Sequence, residues 1–404
     1  VSQCIGIAAQ HRTGRSSLIF ITTRNFHAKN FIKMVYLSKK ANKIVLLLGC
    51  LSTAAWAQSD SSQVAQESQL KVGAYLDLYY GLTLAQQPDN NVPYFVSMSR
   101  SNELTVNLGF IDVQYATERF RARFAPALGT FMNANYAAEP GTLKNILEAS
   151  AGFRLSKTKQ IWLDAGILGS PYTNESAISR DQLMYTRSFA PEYVPYYLSG
   201  LKLSLPLSNK VTAYLYLLNG WQQIQDVNRG KSLGTQVEYR PNSKHLFNWN
   251  TYIGDERSAA APQNRTRYFT DVFWIYNPDG VFSFTTCAYV GSQAREDAGG
   301  VRSNAVWWQA NFIGRYRFTN RLSLSGRVEY FNDPEHVQIT PVHPVGAFAS
   351  YSAGLCLNYT VNEVALLRLE GRQFFSEQMV YTGTDGSPSK QLSWIIANIT
   401  LRLP

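Results

Sequence analysis

Arg119, Arg121 and Arg123 alternate with Phe120, Ala122 and Phe124, so an extended chain would carry its cations on one face and its apolar groups on the other. The same division recurs downstream. Arg315 and Arg317 flank Tyr316, and Arg327 and Glu329 alternate with Val328 and Tyr330. Arg368, Glu370 and Arg372 alternate with Leu367 and Leu369, and Arg402 separates Leu401 from Leu403. Asp164 adds another carboxylate. Rows of opposed guanidinium and carboxylate groups can sort solutes by charge without making or breaking bonds. An arginine facing hydrocarbon near a bilayer midplane costs about 2–4 kcal/mol, so these faces must look at water. One such segment also fits the wet face of a soluble sheet, and a charge near a strand end can equally meet lipid headgroups.

Bond chemistry finds less support. There is no nucleophile elbow and no HExxH metal motif. His336 and His343 share a connection with Asp333 and Glu335, but two histidines seven apart with no clear third ligand read better as a solvated loop. A Ser-His-Asp site is made by geometry and cannot be inferred from composition. No catalytic group, metal or cofactor is expected.

The stretch Ile44 to Ala57, IVLLLGCLSTAAWA, follows Lys39, Lys40 and Lys43 and ends in small residues around Trp56. That is the layout of a secretory signal, and its apolar run is short for a membrane-crossing helix. Met34 is the expected start, which makes residues 1–33 an upstream extension, 34–57 the signal and 58–69 a polar leader. A lipidated Cys50 after Leu47-Leu48-Gly49, or a buried soluble helix, is the alternative for this stretch. Export changes the meaning of the net charge of +10. Eight of the 38 basic residues precede Ala57 and none of the 28 acidic ones does, which leaves +2. No basic tract, zinc-finger spacing or phosphate loop points to nucleic acid. Cys287 and Cys356 are too few for a disulfide scaffold.

From residue 70 to 404 the chain reads as one domain of alternating segments of about ten residues closed by turn residues, the signature of a transmembrane antiparallel β-barrel. Sixteen candidate strands can be placed, with 14 to 18 open. Connections near 158, 208, 242, 278, 320 and 361 are short and those near 90, 180, 226, 258, 297, 340 and 384 long, as in bacterial outer-membrane barrels. A change of apolar phase predicts a bulge near Gly109. Residues 139–149 read as a short helix after Pro140. Tyr79, Tyr80, Trp249, Tyr252, Trp274, Tyr276, Phe331 and Phe375 fall near strand ends and fit interfacial girdles. Residues 169–196 form the longest stretch without strand patterning. With Glu175, Arg180, Asp181 and Arg187 scattered through it, that stretch is the expected mouth or constriction loop.

Ala165-Gly166-Ile167-Leu168-Gly169-Ser170, then Glu175, Tyr185-Thr186-Arg187-Ser188 and Pro195-Tyr196-Tyr197-Leu198-Ser199-Gly200 carry a resemblance. From about Val72 onwards the chain resembles the porin-like β-barrels of the OmpL-like outer-membrane group. The resemblance implies a passive channel in the envelope and supplies no ligand. The ending Leu401-Arg402-Leu403-Pro404 departs from the terminal aromatic that such barrels often carry. The expectation is a bacterial outer-membrane diffusion channel for small hydrophilic solutes, with outer-membrane lipids and the barrel-assembly machinery as partners and homo-oligomerisation open. Its expected lining is Arg119, Arg121, Arg123, Asp164, Arg315, Arg317, Arg327, Glu329, Arg368, Glu370, Arg372 and Arg402. A non-conducting adhesion or structural barrel, or a barrel hydrolase, is the alternative.

Overall fold

The computed structural model describes residues 69–403 apart from Pro88. The expected extension, export signal and nearly all of the leader lie outside these residues; Gln69, placed in the leader, opens the first strand. The strands are β1 (Gln69–Thr83), β2 (Glu103–Ala116), β3 (Phe120–Leu128), β4 (Ile146–Arg154), β5 (Trp162–Gly169) and β6 (Tyr197–Pro206). Then come β7 (Val211–Leu218), β8 (Ser232–Asn242), β9 (His245–Asp255), β10 (Asn264–Tyr276), β11 (Phe282–Glu296) and β12 (Arg302–Arg317). β13 (Leu322–Asp333), β14 (Phe348–Thr360) and β15 (Ala365–Phe375) precede a small ribbon of β16 (Tyr381–Thr382) and β17 (Pro388–Ser389), and β18 (Gln391–Leu403) is last. Every strand outside the ribbon pairs antiparallel with two neighbours. β18 closes the ring against β1, with Ala74 opposite Leu403 and Thr83 opposite Trp394. Sixteen strands thus form a closed barrel, which leaves no row of backbone N–H and C=O groups unpaired towards lipid.

Side chains alternate as the pleat requires. Phe124, Phe312, Leu369 and Ile395 are exposed on the outer face, while Arg327, Glu370 and Asn398 are buried inside. Connections also alternate: short turns such as 207–210 and 361–364 lie at one end, and longer loops such as 84–102 and 170–196 at the other. Both barrel termini lie at the turn end.

The expected bulge near Gly109 is present, and two other expectations are corrected. The bulge lies at Asn107, since Asp77 opposes Leu108 and Leu78 opposes Val106. Leu108 and Phe110 therefore face inwards, and Ile111 outwards. The expected helix at 139–149 is a 3-10 turn, Gly141–Asn145, followed directly by strand, because Ile146 to Ala149 pair with β3. The α-helix of this loop is instead α1 (Thr130–Asn135). Tyr79, Tyr252 and Phe331 belong to the interior, each almost wholly buried. The outer aromatics form clusters of their own. Phe247, Trp274, Phe284 and Phe312 run along the outside near the turn end, and Trp308, Tyr330 and Tyr351 pack at a tilt nearer the loops.

Candidate functional site

Residues 170–196, between β5 and β6, run down the inside of the barrel rather than over its mouth. Their polar groups are met one by one by the wall. Asp271 on β10 accepts the Thr173 N–H at 2.5 Å, and Asn250 on β9 donates to the Pro171 carbonyl at 2.9 Å. Asn311 on β12 bonds Asn174 and, at 2.9 Å, the Ser188 hydroxyl. Thr173 holds φ at 65°, a left-handed conformation that a β-branched residue adopts only under constraint, and the bond to Asp271 supplies one. Within the loop, Glu175 accepts the Ser188 N–H at 2.9 Å and pairs with Arg187 at 3.4 Å, both side chains being fully enclosed. Ser188 also caps α2 (Phe189–Glu192) by accepting the Ala190 N–H.

The charged row of β13 and β15 meets this loop. Glu370 accepts the N–H groups of Tyr185 and Thr186 at 2.8 and 2.9 Å, and Glu329 accepts that of Phe189 at 2.6 Å. In the other direction Arg327 donates to the Thr186 carbonyl, Arg372 to that of Arg187 and Arg368 to that of Ser179, at 2.7–2.8 Å. Arg327 and Arg372 also pair with Glu370 and Glu329. These five residues point inwards, as their strand parity requires, but the loop covers them and all are buried. Charges enclosed this deeply are tolerated because each is paired or hydrogen-bonded on several sides.

The first long loop, 84–102, packs on the same body. Phe95 lies against Phe189, Phe374 and Trp394, and the Arg372 guanidinium sits 4.7 Å from the Phe95 ring. Glu192 accepts from Val96 N–H at 2.6 Å and Tyr196 hydroxyl at 2.9 Å; burial pushes its carboxyl above the ordinary range against the pull of those donors. Phe131 and Met132 of α1, together with Tyr136, fill a second cluster against Tyr197. Towards the loop end the interior is therefore packed with aromatic side chains.

The opposite wall, β2 to β7, is different. Here a polar cavity of about 650 Å³ remains, bordered by Arg121, Arg123, Glu148, Trp162, Asp164, Lys202 and Tyr214. Arg121 grips Asp164 with two bonds of 2.6–2.7 Å and lies 4.4 Å from the Trp162 ring centre; Lys202 is 3.7 Å from the same carboxylate. Arg123 bridges Asp112 at 2.8 Å and Glu148 at 2.5 Å. The cations stand in front. Arg121 keeps 39% of its side-chain surface against 6% for Asp164, and Arg123 keeps 30% against 16% for Glu148.

The remaining expected residues divide. Arg119 is corrected: it lies exposed in the short turn between β2 and β3 and is not part of the lining row. Arg315 and Arg317 point inwards near the turn end, and Arg402 pairs with Asp181 at 2.7 Å. Arg180 extends the inward loop to the far end by donating to the carbonyls of Glu363 and Val364. Burial lowers its guanidinium from the usual value, and Arg402 pushes the same way. His336 and His343 share the loop after β13. There the Asp333 carboxylate accepts N–H groups from Val337, Gln338 and Ile339 at 2.7–2.9 Å, and His343 bonds Thr382 at 3.1 Å.

Several residues of the site were not singled out from the sequence. Asp77 accepts from Asn107, Ser179 and Tyr185 at 2.9–3.0 Å, and its inward parity between Tyr75 and Tyr79 was a usable signal. Lys202 carried the same signal as the lone charge of β6, and Asp271 did so as the lone carboxylate of a strand that also holds Arg265 and Arg267. Asn107 carried none, because the bulge reverses its side.

A family profile described as "Putative beta-barrel porin-2, OmpL-like" matches residues 69–401, from the first strand to the last. The chain belongs to this family. As an OmpL-like porin-type barrel it can be set beside solved structures of the same shape. The outer membrane channel DcaP of Acinetobacter baumannii superposes with a TM-score of 0.57 at 9% identity, over 83% of this chain and 97% of that one. An anion-selective porin from Comamonas acidovorans gives 0.55 at 8% identity, over 83% and 100%. Salmonella typhi OmpF gives 0.54 at 10%, over 83% and 97%. At such identities the likeness is one of fold. Curated protein sequences give no match.

Proposed function

We propose that this OmpL-like barrel is a passive channel of the bacterial outer membrane for small hydrophilic solutes, with its short turns in the periplasm. The reading rests above all on the wall of β2 to β7, where paired charges border a polar cavity inside a closed barrel instead of being sealed by the inward loop. Solutes would pass along this wall and feel the fronting cations of Arg121, Arg123 and Lys202 and the carboxylates behind them; no bond is made or broken. Outer-membrane lipids would surround the exposed apolar face, and the barrel-assembly machinery would insert it. The porins and the channel of similar fold are consistent with this role.

A second reading, a non-conducting scaffold or adhesion barrel, draws on the aromatic packing towards the loop end, where Met98, Phe131, Met132, Tyr185 and Phe189 have no exposed surface. Planar-bilayer recording of the purified full chain separates the two. Stepwise, reproducible conductance is the expected result. A folded, heat-modifiable barrel that leaves the bilayer silent would overturn the channel and favour the scaffold.

A further inference from the structure

At the turn end, four arginines gather with no carboxylate bonded to any of them. Arg315 and Arg317 project inwards from the end of β12, Arg321 stands in the turn that follows, and Arg180 arrives from the inward loop. With Asn358 and Thr360 they border a cavity of about 310 Å³. Among the described residues none of the four has a carboxylate within ion-pair distance. What holds three of them is main chain. Arg180 donates to the carbonyls of Glu363 and Val364, Arg315 to that of Pro278, and Arg317 to that of Asp279 at 3.0 Å. The Ser283 hydroxyl lies 3.1 Å from Arg315, whose Nε is buried with no partner.

A carbonyl orients a guanidinium but does not neutralise it. Arg121, Arg123, Arg327 and Arg372 each have a carboxylate beside them, and Arg267 and Arg368, which have none, are buried and held by Gln293, Ser179, Met184 and Asn398, whereas the four at the turn end border open space. Three cations held by main chain, with the exposed Arg321 beside them, leave N–H donors and positive potential aimed at whatever enters this small concavity, and the planar fork of arginine suits an anion with two or more oxygen acceptors. The side chains of β12 involved here face the lumen, which directs the site to a dissolved anion and away from the headgroups outside.

We propose that Arg180, Arg315, Arg317 and Arg321 form a binding site for small dissolved oxyanions, phosphate and carboxylates sharing the required chemistry, at the turn-end mouth of the lumen. Its use in selecting permeant solutes rests on the channel reading above; the binding does not.

The test is titration of inorganic phosphate into the full chain, refolded in a maltoside detergent that carries no phosphate of its own, followed by calorimetry. Wild type should bind saturably and more weakly as chloride rises. R315Q/R317Q should weaken binding by about tenfold or more, since glutamine keeps hydrogen-bonding capacity and removes the charge. R180Q lies outside the strands and should weaken it in the same direction, which serves if the double variant fails to fold. R302Q, exposed at the loop end of β12 and paired with Glu296, should stay within about twofold. Absent binding, or binding unchanged in both R315Q/R317Q and R180Q, overturns the site. Binding to phosphatidylglycerol vesicles but not to phosphate would overturn the dissolved-anion assignment. A barrel that conducts without binding phosphate defeats the site and spares the channel; one that binds but never conducts does the reverse.

Discussion

Arg372 on β15 and Arg121 on β3 are both inward arginines in strands that alternate charged and apolar residues, each bonded to a carboxylate on a nearby strand. Arg372 lies under the inward loop, donates to its backbone and packs 4.3 Å from the Phe374 ring. Arg121 has cavity on one side. The wall from β10 to β15 uses its polar groups to hold a chain segment in place, whereas that from β2 to β7 leaves the same groups facing open space. What separates them is the covering loop, which turns a row of charges from a surface into a set of anchors. The variants below test how far that separation holds.

The largest effect belongs to Glu370. Replacing it by alanine removes the acceptor of two loop N–H groups and leaves Arg327 enclosed without its 3.0 Å partner. Loss of one member of a buried, hydrogen-bonded pair typically costs about 3–5 kcal/mol. Urea unfolding of Glu370→Ala in detergent should show a loss of that order, with the loop newly open to protease. Asp164→Ala removes an equally inward carboxylate from the other wall, but Arg121 and Lys202 can turn to water in the cavity, so the loss should be near 1 kcal/mol. Equal losses would erase the distinction between the walls.

Much of this was legible. Strand number, facial parity and the alternation of long and short connections follow from patterns of period two, and lipid on one side of a closed sheet enforces them strongly. The long stretch 169–196 was legible as a loop of consequence because nothing in it repeats. Its path was hidden, since Arg187 and Ser188 meet Arg372 and Asn311, over a hundred residues away, as well as Glu175 nearby, and period says nothing about such pairs. Strand parity placed Arg327, Glu329, Arg368, Glu370 and Arg372 on the inner face but could not tell an inner face with water from one with a peptide segment against it. The girdle reading of Tyr79, Tyr252 and Phe331 failed for the same reason: an aromatic near a strand end suits an interface, and it suits an interior packed by loops equally well. The bulge expected near Gly109 is present two residues earlier, at Asn107, where Asp77 and the Met98 N–H hold the extra residue's side chain.

Two glycines provide an intermediate test. A Cβ on Gly291 of β11 would stand 2.1 Å from the Trp307 ring, and a Cβ on Gly152 of β4 would stand 2.1 Å from an Asp164 carboxylate oxygen. The collisions are equally close, but the obstacles differ. Trp307 has no exposed surface and nowhere to go, so Gly291→Ala should cost about 1–3 kcal/mol, the usual range for overpacking a filled interior. The carboxylate end of Asp164 can swing into the cavity with Arg121 following, so Gly152→Ala should cost less than about 1 kcal/mol. Paired unfolding curves measure the difference. If Gly152→Ala proved the costlier, the β2 to β7 wall would be as tightly held as its opposite.

The smallest change in stability should carry the clearest change in ion preference. Arg121 fronts Asp164, so Arg121→Gln uncovers a carboxylate that now keeps 6% of its surface, while Lys202 remains 3.7 Å away as partial compensation. Stability should fall by no more than about 1 kcal/mol because the lost guanidinium is substantially solvated. In a salt gradient across a planar bilayer, the reversal potential should move towards cations, and Asp164→Asn should move it towards anions, because a fixed charge beside a narrow aqueous path enriches its counter-ions. Arg327→Gln changes the net charge of the barrel by the same amount but sits behind the loop, so it should disturb folding and leave the preference of any surviving channel nearly unchanged. Equal shifts from Arg121→Gln and Arg327→Gln would mean that ions pass both walls, and the loop would then have to leave the lumen when the channel conducts.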